Sequence, residues 1–162
     1  MRAAIVAAMT ATPTLYDWAG GMEAIERLTK AFYARVRAHG VLGPVFAHMP
    51  DDHPHHVAIW FAEVFGGPPA YTQEHGGYPH MLGKHRGLAL TEKQRFRWVQ
   101  LIALAADDAG LPSDPEFRSA FLAYVEWGTR LAVANSQPGA TPPPEAPVPR
   151  WGWGEAPPYL PR

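Results

Sequence analysis

A run of large apolar residues at helical spacing constrains the fold of this chain more than any other feature. The apolar positions recur every three or four residues and therefore share one face of an α-helix; they are Val57, Trp60, Phe61, Val64 and Phe65. Two glycines and two prolines follow at positions 66–69 and end the helix. A face with three aromatic rings has to be buried, so this helix must pack against other helices.

The other strong patterns are helical as well. An amphipathic run over 25–36 predicts a long helix, and a short helix over 14–19 precedes it. A capping box at 91–94 opens another long helix, and an Asp-Pro pair at 114–115 opens the last helix, which we expect to end near Asn135. No segment alternates with period two for long enough to predict a strand. The predicted fold class is therefore all-α.

Length and composition indicate one helical domain with two appendages. A chain of 162 residues corresponds to one domain, which we place at residues 14–135. Residues 1–13 carry no strong pattern and are expected to form an N-terminal arm. The last 27 residues hold nine of the 18 prolines and no apolar period, so we predict a disordered, Pro-rich tail over 136–162. Docking of this tail on an aromatic partner surface is the alternative.

Charge and cysteine content exclude several classes of function. A net charge of −1, with 18% charged residues, favours neither nucleic acid nor an anionic membrane surface as a partner. The chain has no cysteine, which excludes disulfides, Fe–S clusters, thiolate catalysis and C-x-x-C-H haem attachment within it. The N-terminal segment does not resemble a signal peptide, and no stretch is long enough to span a bilayer. We therefore expect a cytoplasmic protein.

His85 is the leading candidate for a metal ligand. It lies in a short segment with apolar flanks, between Pro79 and the helix start at Thr91. A haem site needs a neutral imidazole, flat apolar walls, and cations or hydroxyls for the propionates, and the sequence offers each of these. A surface histidine in a loop is the alternative, because seven other histidines compete with His85. His75 and His80 are among those that we place in turns.

A second group of histidines allows a metal site without haem. His53 and His56 lie three residues apart, with Asp51 and Asp52 beside them, and His75 could join them. The signal for zinc or copper is weak, because neither an H-E-x-x-H motif nor a cysteine supports it. The chain also lacks the G-x-S-x-G motif of many hydrolases and a Gly-rich phosphate loop after a strand.

Each aromatic candidate has a structural alternative. Tyr33 could donate a hydrogen bond to a bound diatomic ligand, or to a backbone carbonyl at the edge of the core. Phe46 could clamp a porphyrin or plug the end of the core. Trp98 could lie against the ligand pocket or be an ordinary core residue of its helix. The structural role is the default for three residues of the central helix: Val57, Trp60 and Phe61.

Together these segments resemble the truncated haemoglobins of group II. The resemblance covers roughly residues 14–135 and rests on LYDWAGG, AFYARV, VFAHMPDD, AEVFGGP-x-x-Y, the G-x-P segment ending at His85, and RFRWVQ. It implies a globin-like two-over-two helical sandwich around haem b, with a reduced first helix and a short segment that holds the proximal histidine. Group II is favoured because Trp98 stands at the point of its helix where the resemblance places a tryptophan in that group.

The resemblance also implies roles for individual residues. His85 would be the proximal iron ligand, Tyr33 the distal tyrosine and Trp98 a second distal donor. Phe46 would pack on the haem at a bend where some relatives have Tyr. His53 falls near the distal gate, and if it points inward it could gate ligands or bind iron. The other cofactor-binding candidates are Val57, Trp60, Phe61, Tyr71, His80, Met81, Lys84 and Arg86. Four of these are candidates for contacts with the propionates: Tyr71, His80, Lys84 and Arg86.

The function implied by the resemblance is reversible binding of O₂, and of NO or CO, at a pentacoordinate iron. Two donors, Tyr33 and Trp98, would slow O₂ release, which favours storage, scavenging or sensing over bulk delivery. A haem enzyme that uses the same pocket, such as a peroxidase or an NO dioxygenase, is the alternative, and the dioxygenase would need a reductase. A haem-free helical bundle whose tail recruits a partner is the third hypothesis. A monomer and a homodimer both remain open.

Overall fold

A computed structural model describes residues 11–143 and 145–156 of the chain, and these residues form seven α-helices and no strand. The helices are α1 (Leu15–Ala19), α2 (Gly21–Arg37), α3 (His53–Val64), α4 (Ala70–His75), α5 (Tyr78–His85), α6 (Glu92–Asp108) and α7 (Pro115–Ser136), with a 3₁₀ turn at Pro44–Phe46. The all-α prediction is confirmed. None of the described helices is long and apolar enough to cross a membrane.

The helices begin at residues whose side chains satisfy free backbone N–H groups. The Thr14 hydroxyl accepts a hydrogen bond from the Asp17 N–H at 3.0 Å and starts α1. Thr91 and Gln94 form the predicted capping box of α6. Asp114 accepts from the N–H of Phe117 at 3.0 Å and starts α7. These contacts span three residues, which is why the sequence predicts them.

Two helix pairs form the sandwich. α2 packs on α3, α6 packs on α7, and a broad contact between α2 and α6 joins the pairs. Phe32 and Val36 of α2 are fully buried where the pairs meet. Side chains of α3 and α7 also meet, since the Phe61 and Phe121 rings lie 6.4 Å apart. The two-over-two architecture expected from the resemblance is confirmed.

The turn after α3 requires glycine at position 67. A Cβ on Gly67 would lie 2.6 Å from the Tyr16 ring and 2.8 Å from the Ala62 carbonyl oxygen. The chain passes this closely because the N–H of Tyr16 donates to the Phe65 carbonyl at 2.9 Å, which fastens α1 to the end of α3. The glycines that end α3 in the sequence therefore also make room for the first helix.

The structure differs from the prediction between residues 70 and 80. His75 ends α4 and His80 lies in α5, where we expected turns. α4 is held by Glu63, a buried residue of α3 whose carboxylate accepts hydrogen bonds from the N–H and the hydroxyl of Thr72 at 2.9 and 2.5 Å. Because this anchor lies outside the six-residue helix, the local sequence does not reveal it.

The tail has no regular secondary structure after Ser136 in the part that the structure describes, as predicted. Part of the tail nevertheless contacts the helical domain, where we expected disorder: Val148, Trp151 and Trp153 pack against the hydrophobic core. Isolated tryptophans in a Pro-rich segment have no periodic pattern, so periodicity does not identify them as packed residues. Of the predicted arm, residues 1–10 lie outside the described residues. The domain boundaries of 14 and 135 remain predictions.

Candidate cofactor site

A cavity of about 400 Å³ opens among α2, α3, α5, α6 and α7. Its size lies in the range of small-molecule and cofactor sites. Apolar and aromatic side chains dominate its lining. Twelve of the thirteen predicted cofactor-binding residues line it: Tyr33, Phe46, His53, Val57, Trp60, Phe61, Tyr71, His80, Met81, Lys84, His85 and Trp98. The fold thus brings together residues that lie up to 65 positions apart in the chain.

Arg86 is the predicted site residue that the structure does not bring to the cavity. It follows the last residue of α5, and its side chain is exposed. Lys84 lines the cavity instead, although it too is largely exposed. The difference follows from helix geometry, because α5 ends between them and the chain then turns away.

His85 is half-buried at the C-terminal end of α5, and one of its ring nitrogens is already engaged. Nδ1 lies 2.9 Å from the carbonyl oxygen of Met81, one turn earlier. A carbonyl can only accept, so Nδ1 carries the proton and Nε2 carries the lone pair. Burial lowers the pKa of His85, against the smaller opposite effect of this hydrogen bond. The side chain is therefore a neutral imidazole held in one tautomer, as a metal ligand requires.

Tyr33 and His53 form a polar pair inside the cavity. The Tyr33 hydroxyl lies 2.9 Å from Nε2 of His53, so His53 points inward, which the sequence left open. The partner of Tyr33 is thus a side chain and not the backbone carbonyl of the structural alternative. The two rings meet edge to face at 5.1 Å, and Phe46 packs on Tyr33 at 5.6 Å.

Both members of this pair are neutral at pH 7. Burial raises the pKa of the Tyr33 hydroxyl, and burial followed by the nearby His56 and Lys84 lowers the pKa of His53. The proton between them can belong to either residue. If Nε2 of His53 donates, the Tyr33 O–H is left free to donate elsewhere in the cavity. If Tyr33 donates to His53, its single proton is used.

The two tryptophans of the site have different hydrogen-bonding states. Trp60 Nε1 donates to the Tyr124 hydroxyl at 2.7 Å, so this indole is fully engaged. Trp98 packs edge-on against Phe32 at 4.7 Å and lines the cavity. Its N–H has no hydrogen-bond acceptor among the residues that the structure describes. Trp98 can therefore act as a donor, whereas Trp60 is part of the wall.

The far wall of the cavity comes from α7, and our site prediction omitted it. Tyr124, Val125 and Gly128 line the cavity together with Thr129 and Ala132. Tyr124 is buried, and burial raises the pKa of its hydroxyl. An apolar stripe along the last helix was the available signal, but a stripe does not distinguish a core face from a cavity face. That distinction depends on the distance to the opposite helix.

Three histidine rings contact one another at the edge of the cavity, where His56 and His80 are part of the lining. The ring of His75 lies 4.4 Å from that of His56 and 5.0 Å from that of His80. Within the described part of the chain, no group of three His, Cys, Asp or Glu residues is arranged to hold a metal ion. The weak zinc or copper alternative at His53, His56 and His75 is therefore not supported, and His53 is instead turned toward Tyr33.

The charges around the cavity suit a flat cofactor that carries carboxylates. The lining contains no Asp or Glu among the described residues, and its charged members are Lys84 and Arg95. Arg95 is neutralised by Glu92 at 2.8 Å and Glu126 at 3.0 Å. Lys84 has no such partner within the described chain. A neutral imidazole, aromatic walls and an unpaired cation at the edge are what haem b requires.

Comparisons with known proteins give the same family. A family model of the bacterial-like globins matches residues 14–126. The chain is 30% identical over 117 residues to the group 2 truncated hemoglobin YjbI of Bacillus subtilis, covering 72% of this chain and 86% of that protein.

Solved structures of truncated haemoglobins share the fold. The group II truncated hemoglobin of Bacillus anthracis superposes with a TM-score of 0.67 at 26% identity, covering 78% of this chain and 95% of that one. The truncated oxygen-avid haemoglobin of Bacillus subtilis gives 0.67 at 27% identity, covering 75% and 99%. Members of this family carry haem b and bind diatomic gases. The chain therefore belongs to the bacterial-like globins and, among them, to the group II truncated haemoglobins.

Proposed function

We propose that this protein binds O₂ reversibly, and NO or CO at the same position, for oxygen storage, scavenging or sensing in the cytoplasm. One observation carries the proposal. A histidine held in its metal-binding tautomer, His85, shares an apolar cavity with three polar groups from other helices, which are Tyr33, His53 and Trp98. Haem b supplies the iron and its open coordination position.

His85 would hold the iron through Nε2. The Met81 carbonyl fixes the ring orientation and raises the basicity of the imidazole, as carbonyl partners of metal-bound histidines do. Lys84, Tyr71 and His80 line the cavity and would contact the propionates. Burial followed by the charge of Glu63 raises the pKa of Tyr71 to about 12, so its hydroxyl remains a donor. The aromatic walls would limit the access of water to the iron.

The polar groups of the cavity would hold the gas. Trp98 has a free N–H, and Tyr33 has a free O–H whenever His53 donates to it. His53 is then a positioning residue, because it decides where the Tyr33 proton points. A hydrogen bond to a partly charged acceptor contributes roughly 1.5 kcal/mol or more, which is about a tenfold slower release for each donor. Two donors favour retention of O₂ over rapid delivery.

A peroxidase is the second candidate function, and the inward orientation of His53 favours it. The pKa of His53 is lowered by burial, so at neutral pH this side chain can accept a proton from a peroxide. The pair with Tyr33 then offers a path for that proton. An NO dioxygenase would use the same cavity but would need a separate reductase.

The visible absorption spectrum tests the proposal. Purified parent protein and His85→Ala are compared in the ferric and dithionite-reduced forms, followed by titration with O₂ and CO. We expect a Soret band in the parent that weakens or shifts in the variant. A parent that shows no Soret band even after added haem would overturn the proposal. His53→Ala separates the candidates, because only a peroxidase should lose its reaction with peroxide by a large factor.

A further inference from the structure

The part of the tail that returns to the helical domain lies outside the region of family similarity. The family match ends at residue 126, and α7 ends at Ser136. Residues 148–153, which we name the C-terminal strap, then lie against the domain. The strap thus lies beyond the residues that the family model matches, and its contacts have to be read from this structure.

Two hydrogen bonds fasten the strap. The backbone N–H of Trp151 donates to the carbonyl of Val64 at 2.8 Å. Val64 is the last residue of α3, where helix carbonyls have no partner within the helix. The indole N–H of Trp153 donates to the carbonyl of Pro13 at 2.8 Å. The strap therefore connects the end of α3 to the segment before α1.

The first half of the strap reaches the cofactor cavity. Pro149 is itself part of the cavity lining. The Trp151 ring lies 5.7 Å from Tyr124 and 5.4 Å from Trp127, both of which line the cavity from α7. Tyr124 in turn accepts the hydrogen bond of Trp60. Trp151 thus supports the wall from behind.

The second half of the strap lies away from the cavity. The Trp153 ring meets Trp18 edge to face at 5.7 Å and Phe117 at 6.4 Å. Neither of these partners lines the cavity. The strap therefore offers two tryptophans with similar packing, of which only Trp151 supports the site.

We propose that the C-terminal strap is a wall of the haem site, and that Trp151 is a positioning residue that retains haem by holding Tyr124 and Trp60 in place. The inference rests on the proposed haem site. Haem would leave this site only when the walls of the cavity separate far enough to release it. A strap that ties α3 to α7 opposes this separation at the edge where Pro149 closes the cavity.

The test measures haem loss from the ferric, full-length protein to an excess of a haem-free acceptor globin, followed at the Soret band. We expect Trp151→Ala to lose haem at least about tenfold faster than the parent, a factor typical of lost aromatic packing. Trp153→Ala is the matched control and should stay within about twofold. Urea denaturation of each apoprotein reports how much either change affects overall folding.

Equal rates for Trp151→Ala and the parent, or equal acceleration by both tryptophan variants, would overturn the inference. A parent without a Soret band would instead overturn the proposed function. Binding of an apolar fluorescent dye to the apoprotein provides a readout without haem, and it should increase for Trp151→Ala and not for Trp153→Ala. If Trp151→Ala does not fold, Trp151→Phe replaces it: this variant keeps a smaller ring at the position and should lose haem faster than both the parent and Trp153→Ala. A rate of haem loss equal to the parent's would overturn the inference.

Discussion

Removing the Tyr33 hydroxyl should speed the release of O₂ from the ferrous protein. Tyr33 is only 2% exposed, and its ring packs edge-on against Phe32 at 4.9 Å and Phe46 at 5.6 Å. Tyr33→Phe keeps these ring contacts, so the substitution removes the O–H group and little else. Any change in the rate then reports on that group.

The expected magnitude follows from the hydrogen bond that is lost. A donor to a charged or strongly polarised acceptor contributes about 1.5–3 kcal/mol, and each 1.4 kcal/mol is a factor of ten. We therefore expect a dissociation rate about 10- to 150-fold higher in Tyr33→Phe. His53→Ala should have a smaller effect of about fivefold, since it removes a neutral hydrogen bond of about 1 kcal/mol that only orients the hydroxyl.

Rapid mixing of the oxygenated protein with excess CO measures this rate directly. Tyr78→Phe is the matched control, because Tyr78 also lines the cavity but from α5. It should release O₂ at the parent rate. An unchanged rate in Tyr33→Phe, with a normal Soret band, would refute the reasoning, because the Tyr33 proton would then belong to the hydrogen bond with His53 and not to the gas.

Three further predictions concern stability. The pKa of His53 is lower in the folded protein than in the unfolded chain, so the folded protein binds fewer protons than the unfolded chain does. The free energy of unfolding of the apoprotein should therefore fall as the pH drops below about 6.5. Chemical denaturation between pH 8 and 5 should show a smaller fall for His53→Gln than for the parent. Gly67→Ala should lower the free energy of unfolding by about 1–3 kcal/mol, since its Cβ would lie 2.6 Å from the half-buried Tyr16 ring. Gly83→Ala on α5, where a Cβ meets open space, should be neutral or stabilising by about 0.5–1 kcal/mol. Equal urea midpoints for both variants would contradict the packing argument. Trp60→Phe should cost about 1–3 kcal/mol by leaving the buried Tyr124 hydroxyl without its partner, and a double-mutant cycle with Tyr124→Phe should recover part of this loss.

The shared fold was predictable because its signals are local or belong to the family, whereas the cofactor-binding roles of the site residues remain predictions. Helix starts at Thr14, Thr91 and Asp114 are made by contacts across three residues. The spacing of large apolar residues in α3 defines a buried face whatever that face contacts. His85 was identified as the candidate ligand by the resemblance, since composition alone left it in competition with seven other histidines.

The amino-acid sequence by itself determined the long helices, their caps and most of the aromatic and histidine residues that line the cavity. Only the tertiary structure decided the inward turn of His53, the α7 wall at Tyr124 and the docking of the strap through Trp153. The hydrogen bonds that settle these three points join residues 20, 64 and 140 positions apart. No local pattern encodes such contacts, because each depends on where the packing of whole helices places the partner.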